Sequence, residues 1–299
     1  MSAAKAAATG ALIIHHLSLM KPISIALQDG STTKITVFGE ADDGPVFLVF
    51  PAMGVEASYY EPFATALAEL GYTVITADLR GLGHSSVRPS KAVDYGYQQM
   101  LELDYRGIFD EVEARFPGRA RYVIGHSLGG QLAALFLSRY PAEASGLVLI
   151  AACSVYYRGW GWQQFPMLMV TQFYGAIAGA FGYFPGHRLG FGGKGSKTVL
   201  QDWSRQARTG RYEPTGADFD YEKALRGLQL SVLGMTIKGD NFAPHRAMAY
   251  LYQKFHPDAE VTHLHVSAAE SGLPKLNHFN WARRPGYFVR RIVEWVVTI

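Results

Sequence analysis

The sequence predicts an α/β fold: a mostly parallel central sheet flanked by helices, with a helical insertion. Three observations carry that expectation. Runs such as 46–50 (Val-Phe-Leu-Val-Phe) and 146–152 (Gly-Leu-Val-Leu-Ile-Ala-Ala) are apolar almost throughout, as strands buried on both faces must be. Helical stretches separate them, so strand and helix alternate. At residues 121–133 a strand runs through Gly125-His126-Ser127-Leu128-Gly129 into a long apolar helix.

In chain order, residues 23–27 and 33–38 alternate apolar and polar around a turn at 28–31, the pattern of an antiparallel hairpin with one solvated face. The buried strand 46–50 leads into Pro51-Ala52-Met53-Gly54. A helix over 58–70 stops at Gly71, and 72–77 is the next parallel strand. The loop Asp78-Leu79-Arg80-Gly81-Leu82-Gly83-His84-Ser85 follows, with side chains suited to bracing a turn. Residues 98–116 form an amphipathic helix ended by Pro117-Gly118. After the 146–152 strand come Cys153-Ser154-Val155, with no carboxylate.

The alternation then fails. Between Arg158 and His187 no residue is charged, yet Trp160, Trp162, Phe165, Phe173 and Phe181 crowd the run. Its glutamines, prolines and glycines argue against a membrane span and for a helical cap. A Gly-rich basic stretch, 187–195, reads as a mobile loop, and 201–208 as a further helix. The sheet resumes at 231–237. Asp240 lies just past that strand, before a helix over 245–254. The last strand, 261–266, puts His263 and His265 on one face, in structural or solvated roles. His278 lies in the loop after it, and a closing helix spans 287–297.

The division expected is a flexible leader at 1–19, a core of 20–155 and 228–299, and a cap at 156–227. The leader's apolar patch, 11–14, is too short for a secretory signal, so a cytoplasmic protein is expected. With 48% apolar and 18% charged residues the chain has ample material for a core. Its net charge of +3 comes from interspersed signs, so nucleic acid is not an expected partner. The single cysteine, Cys153, excludes an internal disulfide and reads as a small buried hydrophobe. No H-E-x-x-H spacing occurs among the ten histidines, and no metal or organic cofactor is expected.

The pentapeptide at 125–129 matches G-x-S-x-G, the nucleophile elbow, in the strand–turn–helix setting that the motif requires. Gly125 and Gly129 leave room where a Cβ would collide. The helix start turns free N–H groups, Leu128 first, toward an oxyanion formed at Ser127. On these residues the chain resembles the α/β-hydrolase superfamily from about residue 23 to 297. It looks closest to bacterial hydrolases with a Pro-Ala-Met-Gly turn after the third strand. The resemblance implies an α/β-hydrolase fold and a Ser-acid-His triad. It makes Met53 the second oxyanion donor by position. Pro51 and Ala52 depart from the usual His-Gly at this turn, but a backbone donor does not depend on its side chain. The Gly239-Asp240 loop resembles the triad acid loop, and His278 stands where the base belongs. The loop at 78–85 is a common brace of the superfamily.

The expected catalytic set is therefore Ser127, Asp240 and His278, with Met53 and Leu128 as oxyanion donors. The expected reaction is cleavage of a carboxylic ester, with thioesters and amides less favoured, on a small-molecule acyl substrate. Acyl transfer or perhydrolysis on the same triad is the alternative. A binding protein that has lost chemistry is the third reading. Trp160, Phe173 and Phe181 are expected to line the substrate pocket. An apolar run of this kind otherwise serves as a homodimer or membrane contact, without a stable span.

Overall fold

The computed structural model describes residues 20–39 and 41–299. The expected leader, 1–19, lies outside the described residues. The strands β1 (Met20–Ala26) and β2 (Thr32–Phe38) form the antiparallel hairpin that the alternation predicts. Thr33, Ile35 and Val37 of β2 are buried while Thr32, Lys34 and Thr36 are only partly covered. Next come β3 (Val46–Phe50), helix α1 (Glu61–Ala68), β4 (Thr73–Ala77), α2 (Arg106–Arg115), β5 (Arg121–His126), α3 (Leu128–Arg139) and β6 (Gly146–Ile150). The insertion follows, with α4 (Gln164–Phe181), a small hairpin of β7 (Tyr183–Pro185) and β8 (Lys194–Ser196), and α5 (Lys197–Thr209). The chain closes with β9 (Ser231–Ile237), α6 (His245–Tyr252), β10 (Val261–Val266) and α7 (Gly286–Val296).

The main sheet has eight strands in the order β1-β2-β4-β3-β5-β6-β9-β10. From β4 to β10 every pairing is parallel. Phe47 and Phe50, three residues apart on β3, therefore face opposite sides. Phe47 meets Tyr122, which meets Trp295 of α7, while Phe50 stacks on Tyr105 at 3.9 Å and on Phe109 of α2. Helices thus cover both faces, which is why the central strands read as unbroken apolar runs. The parallel register brings the carboxyl ends of β3, β5, β9 and β10 to one edge, where open α/β sheets build their sites.

Two local features depart from the sequence reading. The single helix expected over 98–116 carries a wide π-turn at Met100–Tyr105. The wider turn accompanies two inward polar contacts. Asp104 accepts from Arg80 Nε at 3.0 Å, and Tyr105 Oη donates to the Gly129 carbonyl at 2.8 Å. The Gly-rich stretch expected to be a mobile loop folds instead into a turn and the β7–β8 hairpin. A Cβ on Gly54 would lie 2.9 Å from Gly192 Cα, so backbone packs on backbone there and Gly54 has no room to be larger.

The loop after β4 is braced as its residues suggest. Asp78 accepts from the backbone N–H groups of Ala57 and His84, each at 2.9 Å. In the insertion, α4 crosses α5 closely, because a Cβ on Gly175 would lie 2.8 Å from Ser204 Cβ. Asp94 ties α5 to the core by accepting from the Thr198 N–H and hydroxyl at 2.9 and 2.7 Å. Among the described residues no helix is long and apolar enough to cross a membrane.

Candidate active site

Ser127 sits between β5 and α3 at φ 51° and ψ −117°. A non-glycine residue with positive φ is strained and is held only where its surroundings fix it. The neighbours show how. A Cβ on Gly125 would lie 2.2 Å from Gly130 Cα, and one on Gly129 would lie 2.5 Å from the Pro51 carbonyl oxygen. The strand, the turn and the β3 loop therefore close on each other only with glycine at both positions. Ser127 is delivered to the floor of a cavity of about 460 Å³.

His278 and Asp240 meet at that cavity. Asp240 Oδ2 accepts from His278 Nδ1 at 2.7 Å, and both side chains are buried. Asp240 Oδ1 accepts from the Phe242 N–H at 2.8 Å, which fixes the carboxylate. With Nδ1–H donated to Asp240, His278 presents Nε2 as an acceptor. Ser127 and His278 line the same cavity, though no hydrogen bond joins them among the described residues. Such contacts are often long before substrate binds. Two other acids of the insertion are engaged elsewhere: Asp218 pairs with Arg139, and Asp220 caps a short helix by accepting from the Lys223 N–H.

Met53 and Leu128 also line the cavity. Neither N–H is taken up by a turn or cap hydrogen bond among the described residues. The loop that carries Met53 is pinned from below. The Ala52 N–H donates to Tyr60 Oη at 3.0 Å, and Tyr60 Oη donates to His126 Nδ1 at 2.7 Å. Burial first, and then the neighbouring His278, push the His126 pKa well below its ordinary value, so its imidazole is neutral. Tyr60 and His126 thereby join the elbow to the Met53 loop. Sequence reading passed over both. The one local signal was a histidine at the first variable position of the elbow motif.

The apolar wall differs in part from expectation. Trp160 lines the cavity and donates its indole N–H to the Asn241 carbonyl at 3.0 Å. Phe173 and Phe181 do not line it. They lie on the outer side of α4, each about half exposed. The 3.6-residue turn gives the cavity side to Met167, Val170 and Tyr174 instead, and Phe191 and Trp203 complete that wall. Cys153 lines the cavity too. Burial, and then the Asp240 charge, push its thiol far above the ordinary range, so it is a packing residue there. Among the described residues no group of three or more His, Cys, Asp or Glu side chains is arranged to hold a metal ion.

Comparisons with known proteins bear on the fold that carries this site. A family profile described as serine aminopeptidase, S33, matches residues 43–183. "Probable esterase PIR7A" of Oryza sativa subsp. indica is 31% identical over 112 residues, which is 38% of this chain and 40% of the rice protein. The chain spans less than half the length of the curated relatives it matches. The thioesterase domain from the curacin biosynthetic pathway superposes with a TM-score of 0.60 at 14% identity, covering 92% of this chain and 100% of that one. The esterase EaEST of Exiguobacterium antarcticum gives 0.59 at 18% identity, covering 92% and 99%. A shared sheet over nearly the whole length, and a family profile that reaches across the elbow at 125–129, lead to one assignment: the chain has the α/β-hydrolase fold and resembles the serine hydrolases built on it.

Proposed function

We propose that the protein hydrolyses carboxylic esters of uncharged acyl groups through an acyl-enzyme on Ser127. The observation that carries the reading is the buried Asp240–His278 pair facing the same cavity as the strained Ser127. His278 Nε2 takes the Ser127 proton as the oxygen attacks the ester carbonyl. Asp240 holds the imidazole tautomer and stabilises the imidazolium. The Met53 and Leu128 N–H groups receive the oxyanion. His278 then returns the proton to the departing alkoxide, and water releases the acyl group by the reverse sequence.

The lining also favours an ester over the peptide suggested by the family description. Among the described residues no carboxylate lines the cavity, so a free substrate ammonium would find no counter-charge there. An apolar acyl chain against Met167, Val170, Tyr174 and Trp203 fits it better. The test is labelling with a fluorophosphonate, alongside turnover of p-nitrophenyl esters of graded length with alcohols added as competing acceptors. Wild-type protein should label and turn over, and Ser127→Ala should do neither while keeping its fold. Retained labelling or near wild-type turnover in Ser127→Ala would remove Ser127 from the role. Transesterified product in place of free acid would move the reaction to acyl transfer.

A further inference from the structure

The helix α4 is built the wrong way round for a helix that faces water. Its buried side is small: Thr171, Gly175 and Ala178 pack toward α5. Its outer side is large and apolar. Phe165, Met169 and Phe173 follow each other at four-residue spacing and are 64%, 71% and 59% exposed, with Trp162 just before them at 85%. An amphipathic surface helix carries polar groups on that side, and a soluble monomer rarely leaves such a contiguous patch uncovered. The patch is continuous with the cavity mouth. Val170 of α4, Phe242 of the Asp240 loop and Phe279 beside His278 all line the cavity, and all three are exposed.

Charge identifies what covers this face. From Tyr156 to Gln201 the sequence has no Asp or Glu, while it has Arg158, Arg188, Lys194 and Lys197. Lys197 is paired with Asp94 at 3.0 Å, which leaves Arg158, Arg188 and Lys194 as the cations beside this face. Arg158 stands close before Trp162, and Arg188 lies two residues from Gly190 of the cavity lining. Among the described residues neither arginine is in a salt bridge with a carboxylate. A second copy docked through the same face would set this basic patch against itself. An anionic lipid surface answers both features, because large apolar side chains enter the interface and flanking cations meet the headgroups. We propose that α4 lies on the surface of an anionic bilayer with the cavity mouth turned toward it. That acyl substrate then enters from the lipid side rests on the Ser127 reading above; the docking itself does not.

Docking is therefore measured on full-length Ser127→Ala protein, which separates it from chemistry. The protein is sedimented with vesicles of phosphatidylcholine alone and of phosphatidylcholine mixed with phosphatidylglycerol. Binding should favour the mixed vesicles by about tenfold or more and weaken severalfold at high salt. F165E/M169E should abolish binding to both. R158E/R188E should lower binding to the mixed vesicles alone. On the Ser127 background both pairs should leave turnover of water-soluble p-nitrophenyl acetate unchanged, since none of the four side chains lines the cavity. If a charged pair fails to fold, quenching by brominated lipid still reports: it should reach the wild-type tryptophans and fall in Trp162→Phe. Absence of binding to either vesicle overturns the proposal. So does a dimer in solution that F165E/M169E dissociates, which would give the face to a second copy.

Discussion

Tyr60 holds two loops of the site with one phenol. Its oxygen accepts from Ala52, next to Met53, and its proton goes to His126, next to Ser127. Tyr60→Phe would leave a buried N–H and a buried imidazole nitrogen unpaired, at a cost of about 1–3 kcal/mol in stability. It should also lower kcat by about tenfold with little change in KM, because the Met53 N–H, proposed as an oxyanion donor, would matter most when the oxyanion forms. Unfolding midpoints and steady-state kinetics read the two effects separately; an unchanged kcat would make Tyr60 a packing residue only. Asp240→Asn should reduce kcat by about 10⁴ with the fold retained, by analogy with the orienting acid of a well-studied triad. Asp218→Asn and Asp220→Asn should cost little, and a reversed order would reassign the acid. Asp240 and His278 were legible in the sequence because each follows a recognisable strand. The Tyr60 link was not, since its partner lies 66 residues away and only the fold brings them together.

At the scale of the element, α4 shows where sequence reading stops. Its apolar composition announces a helix in an insertion, but with apolar residues on every side no periodicity says which side faces the cavity. The parallel strands were legible because burial on both faces leaves no side to choose, and the β1–β2 hairpin because its alternation does the choosing. Phe173 and Phe181, the aromatics that stood out, are on the outer side, and Met167, Val170 and Tyr174 are on the inner one. The consequence is measurable on the proposed esterase. Each buried methylene contributes about 0.8 kcal/mol, nearly fourfold in kcat/KM, so activity should climb from acetate to at least butyrate or hexanoate. Met167→Ala should flatten that climb while changing acetate turnover little. Phe181→Ala should leave the slope as it is. A slope that responds to Phe181 and ignores Met167 would reverse this assignment of the faces.

At the scale of the molecule, the site depends on the far edge of the sheet. Asp240 follows β9 and His278 follows β10, so the candidate dyad is only as firm as that last strand pair. A polar cluster joins them: Thr236 Oγ1 on β9 lies 2.9 Å from His263 Nε2 and 2.8 Å from His265 Nδ1 on β10, and the His245 ring of α6 lies tilted against His263 with centroids 4.7 Å apart. Burial, then His245 and His265, lower the His263 pKa to about 4. A histidine with a depressed folded pKa binds its proton more readily when unfolded, so stability is complete above the unfolded value near 6.5 and is lost as pH falls toward 4. The full shift corresponds to about 3 kcal/mol, but His263 is only half buried and solvent screening reduces this to about 1 kcal/mol. Acid should therefore loosen the β9–β10 edge before the rest of the sheet and carry the Asp240–His278 contact with it. Urea unfolding at about pH 7 and about pH 4.5 measures the loss. His263→Gln keeps a partner for Thr236 and cannot titrate, so its stability should fall by about 1 kcal/mol less than wild type between the two conditions. Equal losses in the two proteins would show that acid acts elsewhere in the molecule.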